Sequence, residues 1–79
     1  MYVINAIQEY MSSEDASLLR LSNIFMGIIR ATNEELTVLE EYFDTVEFST
    51  QISQCRIHKV SVIYEKALFY RKEIIEVKD

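Results

Sequence analysis

The chain has 79 residues, 49% of them hydrophobic, and a formal net charge of −5 at pH 7. A single cysteine excludes an internal disulfide framework, and the lack of proline with only one glycine removes the residues that tight β-hairpins need. A chain this short buries only about 60–65% of the surface its unfolded form exposes, so with this apolar content some of that surface is expected to be covered by another chain.

The expected architecture is all-α: one domain over residues 1–79, built as a small three- to four-helix bundle with a long C-terminal helix. Val3, Ile7, Tyr10 and Met11 recur at helical spacing through residues 2–11 and predict a short first helix. Ser12 and Ser13 are expected to stop it and to cap the next, with Glu14 and Asp15 in the favourable first turn. The stretch Leu18–Ile29, LLRLSNIFMGII, follows. Its eight large apolar residues sweep about 220° of a helical wheel, roughly twice an ordinary one-sided stripe, which predicts a central helix covered from two sides. Gly27 falls near the polar side of that wheel. The reading preferred there is a glycine merely tolerated, at a cost of about 1 kcal/mol, over one that admits a neighbouring backbone.

Thr32 with Glu35 three residues later is a capping box, and Leu36, Leu39, Phe43 and Val46 form a single apolar seam behind it. This helix is expected to end between Asp44 and Phe48, with Ser49-Thr50 capping the last one. In residues 51–78, Val60, Ile63, Ala67, Tyr70, Ile74 and Val77 step by three and four, the spacing of successive a and d positions. Val60, Val62 and Ile63 are β-branched and suit a strand, but the a/d pattern runs through them without a break and favours helix.

The charge is unevenly spread. Residues 31–55 hold six acids and no base, and residues 56–79 hold six bases against four acids. The simplest consequence is that an acidic and a mildly basic helix lie antiparallel as complementary neighbours. The bases are interspersed with Glu65, Glu73 and Glu76, so no clean basic stripe forms for direct nucleic-acid binding. No stretch is long and apolar enough for a membrane span, which takes about 20 residues. The lone thiol, and an N-terminal region with Glu9 but no base before Arg20, oppose a secretory leader and lead to the expectation of a cytoplasmic protein.

No constellation reaches catalytic or metal-binding form. Cys55 and His58 share a helix face at i, i+3, but a structural zinc site needs four ligands and no other Cys or His exists. Glu34/Glu35 and Glu40/Glu41 are sequence neighbours that diverge on a helix, and there is no Glu-x-x-His or phosphate-cradling glycine loop. No enzyme, cofactor or metal is therefore expected.

What remains is a surface. Cys55, Val62 and Phe69, spaced by seven, line an outward face of the last helix, and Leu68 widens it. The expected function is a protein–protein interaction module (an adaptor, chaperone or inhibitor) that covers a partner's apolar surface through Val62, Tyr64, Leu68 and Phe69, with Tyr2 and Tyr10 as lesser candidates. The alternative is an acidic regulator in which Glu34, Glu40, Glu41, Asp44 and Glu47 imitate nucleic-acid charge and block a nucleic-acid-binding protein. A third reading is a structural homodimer, formed if the a/d seam pairs between chains.

Overall fold

The computed structural model describes residues 2–15 and 17–75, with side chains as far as Glu73. The described residues form four helices: α1 (Tyr2–Ser12), α2 (Leu18–Arg30), α3 (Asn33–Thr45) and α4 (Gln51–Ile75). The chain is thus a small all-α bundle with a long last helix, and residues 57–64 belong to that helix despite their β-branched content. At 1.5 Å per residue α4 is about 37 Å long against about 20 Å for α2, so α4 sets the long dimension of a body measuring 43 × 25 × 19 Å.

Two arginines on α4 fix the sense of the helices. Near its start, the Arg56 guanidinium donates to the carbonyl oxygens of Tyr10 and Met11 at the end of α1 and of Ser13 just beyond it. Fifteen residues later, Arg71 donates to the carbonyls of Ile28, Ile29 and Ala31 at the end of α2. The C-terminus of α1 therefore meets the beginning of α4, and that of α2 meets its later part. α1 runs against α4, α2 runs with it, and the short connections place α3 in the sense of α1.

These arginines answer a need written in the composition. A helix leaves its last four carbonyls unpaired, and the usual remedy is a left-handed glycine just past the end. Among the described residues none has positive φ, and the only glycine sits inside α2. The cations supply hydrogen bonds to the orphan carbonyls and a charge that suits the negative end of the helix dipole.

The core is one cluster: Val3, Ile7 and Tyr10 from α1, Ile24 and Ile28 from α2, Leu39 from α3, and Val60 and Ala67 from α4. Gly27 is buried in it. A Cβ there would stand 2.9 Å from Val3 Cγ2 and 3.3 Å from Tyr2 Cε1, so the glycine admits α1 against α2 and does not lie on a polar face as the wheel indicated.

The structure corrects three other expectations. α2 begins later than Ser12-Ser13 indicated: its cap is Ser17, whose side chain accepts from the Arg20 N–H, and its first turn carries no acid. α2 is packed from two sides, by α1 and α4, but its apolar arc is not wholly covered, because Leu18 is 82% and Leu19 71% exposed and Met26 is exposed as well. The α4 seam holds at Val60 and Ala67, while Ile63 is half-buried and Tyr70 is exposed; the side chain of Ile74 and all of Val77 lie outside the described residues. The α3 capping box is present as read, with the Thr32 hydroxyl accepting from Glu35 N–H at 3.2 Å and the Glu35 carboxylate accepting from Thr32 N–H at 3.1 Å. Thr50 and Ser53 make the same reciprocal arrangement at the start of α4.

Candidate interaction surface

α4 contributes two opposite faces. Its inner face holds Val60 and Ala67 in the core and aims Arg56 and Arg71 at the ends of α1 and α2. Residues turned about 180° from these on the wheel are the outward ones: Cys55 is exposed, Val62 is 37% exposed and Phe69 is 67% exposed. Phe69 is thus a surface residue of this chain.

The other two residues expected to share that face stand elsewhere. Leu68 and Tyr64 lie on the flank of α4 and are half-buried against the core. The Tyr64 ring packs on Phe43 of α3, with centroids 5.1 Å apart, and its hydroxyl is buried without a hydrogen-bond partner. Burial pushes the Tyr64 hydroxyl above the ordinary value of 10.0, the nearby Glu40 charge adds to this, and burial alone does the same at Tyr42. Of the lesser candidates, Tyr2 is exposed, whereas Tyr10 is wholly buried. Its hydroxyl also lacks a partner, and its ring lies 6.0 Å from the Arg56 guanidinium. Tyr10 is core.

The other flank of α4 leads to α2. Tyr70 and Phe25 meet across the seam with ring centroids 6.0 Å apart. Beyond that pair, α2 exposes Leu18 and Met26, which with Ser22 step by four along one face. The sequence reading missed this half of the surface by assigning every apolar residue of α2 to the interior. The signal was the 220° arc itself, wider than a bundle of few short helices covers.

Glu34, Glu40, Glu41, Asp44 and Glu47 are all exposed. The expected charge pairing between α3 and α4 is not made among the described residues, where the ion pair within 4 Å joins Arg20 to Glu9 at 3.8 Å. α3 and α4 pack little against each other, and two of α4's cations turn inward to the helix ends. Cys55 and His58 are both exposed on α4, and no third metal ligand comes to them among the described residues. A cleft of about 620 Å³ opens between α1, α2 and the start of α3, lined in part by Tyr2, Asn23, Met26, Arg30 and Glu35. Its carboxylate is engaged in the capping box, and its other polar groups belong to exposed residues, so nothing converges on a bound molecule.

No described helix is long and apolar enough to cross a membrane. No protein-family model matches the chain, and neither a curated protein nor a solved structure matches it.

Proposed function

We propose that the chain is a non-enzymatic, cytoplasmic interaction protein, acting as an adaptor, chaperone or inhibitor, that covers an apolar surface of a partner through the outer face of α4. The observation that carries this reading is Phe69: a large aromatic side chain 67% exposed, seven residues from exposed Val62, on a helix whose opposite face already fills the core. Solvent-exposed aromatics beside a second apolar residue are what a helix-to-helix contact uses as anchors.

The test is affinity capture from the native host's lysate at low and high salt, with wild type and Phe69→Asp side by side and helicity followed by circular dichroism. The expected outcome is unchanged helicity with loss of a partner that withstands high salt. A partner released by salt alone and indifferent to Phe69 would overturn the reading in favour of the exposed acids of α3, because exposed charges are screened by salt and apolar contacts are not.

A further inference from the structure

The polar ties between helices leave one helix out. Arg56 and Arg71 join α4 to the ends of α1 and α2, and Arg20 of α2 meets Glu9 of α1. Among the described residues, the side-chain hydrogen bonds of α3 all stay within residues 32–45. They are the two of the capping box, Thr37 to the Asn33 carbonyl and Thr45 to the Glu41 carbonyl. What attaches α3 to the other helices is apolar contact.

That contact is lopsided as well. Seven of the eight residues of the buried cluster come from α1, α2 and α4; Leu39 is the eighth, and Leu36, Tyr42 and Phe43 pack half-buried beside it. α3 also packs less against α1 than α1, α2 and α4 pack against one another. Lifting α3 therefore leaves a three-helix body with nearly its whole core and both arginine clamps.

α3 is complete at both ends without that body. The Thr32–Glu35 box finishes its start, and the Val46 N–H donates to the Tyr42 carbonyl at its end. The chain on either side is anchored to the body: Arg71 holds the Ala31 carbonyl, and Thr50 and Ser53 cap the start of α4. Between α3 and that cap, residues 46–49 have no regular structure and supply slack. A helix with closed ends, few buried contacts and two fixed tethers has the makings of a separate cooperative unit.

Beneath it lies a reason to open. The Tyr64 ring packs on Phe43, and the Tyr64 hydroxyl is buried without a hydrogen-bond partner. Such a group destabilises the closed arrangement, and water satisfies it once α3 moves away.

We infer that α3 is a lid, which lifts as one unit from a folded body of α1, α2 and α4 and so turns Tyr64 from a half-buried residue into a surface one. The inference is independent of the contact proposed for Phe69.

The test is native-state hydrogen exchange of the full chain at denaturant concentrations below the unfolding transition, for wild type, Ile24→Val and Tyr64→Phe. In wild type the amides of residues 36–45 are expected to share one opening, about tenfold or more populated than the one that exposes α1, α2 and α4 and with a shallower denaturant dependence. Ile24 is wholly buried in α2, so Ile24→Val should speed exchange in α1, α2 and α4 and leave α3 unchanged. Tyr64→Phe removes the unsatisfied hydroxyl and should slow exchange in α3 by about fivefold. One common opening for all four helices, or α3 accelerating with the others in Ile24→Val, would overturn the lid. Exchange in α3 that differs from amide to amide and ignores denaturant would overturn it too, as fraying. Unchanged or faster exchange of α3 in Tyr64→Phe would overturn the place given to Tyr64 beneath it.

Discussion

α2 and α3 are the same length, 13 residues each, yet they are held by different means. α3 satisfies its own start: Thr32 and Glu35 complete a capping box within four residues, and two acids lie in its first turn. It contributes one wholly buried side chain, Leu39, to the core. α2 buries Ile24, Gly27 and Ile28, and the end of α2 depends on Arg71, about forty residues away. One helix is stabilised by its neighbours in sequence and the other by its neighbours in space. With no glycine past its end, α2 has its last carbonyls completed from a distance.

The sharpest way to break this comparison is in the core. Ile28→Ala and Leu39→Ala remove comparable side chains, each costing about 2–5 kcal/mol, but their consequences should differ. Ile28→Ala is expected to lower the midpoint of a single cooperative denaturant transition. Leu39→Ala is expected to release α3 first, seen as hydrogen exchange accelerated in residues 33–45 while α1, α2 and α4 stay protected. Equal acceleration in all four helices would show that α3 is as integral as α2. Next comes Arg71→Met, which keeps the apolar stem and removes the donors. It should cost about 2 kcal/mol by leaving part-buried carbonyls unpaired, and amides near the end of α2 should exchange faster. Thr32→Ala, the equivalent loss for α3, should cost about 1 kcal/mol and stay confined to the first turn of α3. Tyr10→Phe acts in the opposite direction: removing a buried hydroxyl without a partner should raise stability by about 1 kcal/mol.

The smallest effect is on pH dependence. In the folded chain Tyr42 and Tyr64 hold their protons above the ordinary value of 10.0, whereas unfolded tyrosine ionises near that value. Between the two the unfolded state binds fewer protons, so stability is full below pH 10 and falls as pH rises through the folded values. Denaturant titrations of wild type and Tyr42→Phe/Tyr64→Phe should diverge there, with the variant falling less.

The fold was legible where a signal is local. The Thr32–Glu35 box, the seam from Leu36 through Leu39 to Phe43 and the Val60–Ala67 spacing each depend on residues within a few turns, and each names its own element; Val46, read as the end of that seam, is instead the extended C-cap of α3. The start of α2 was misread because Ser12, Ser13 and Ser17 are equally good caps by type, and only the packing of α1 decides among them. Gly27 was misread because a wheel shows which side of a helix is polar without showing that the side chains of another helix press on it there. On the surface, Phe69 and Val62 could be placed outward from their offset to the Val60–Ala67 seam, whereas Leu18 and Met26 could not. Whether a wide apolar arc is covered depends on how many helices reach it, and that is a property of the assembled bundle.

The arginine clamps also set an order of events at the ribosome. α4 is made after the three other helices, and it carries both guanidinium groups that complete α1 and α2. Before Arg56 is made the end of α1 lacks its guanidinium donors, and before Arg71 is made the carbonyls of Ile28, Ile29 and Ala31 lack theirs. α1 and α2 are therefore made before the groups that cap their ends. Of the four helices, the one that completes the ends of α1 and α2 also displays exposed Val62 and Phe69, so these side chains are presented only after α1, α2 and α3 have been made.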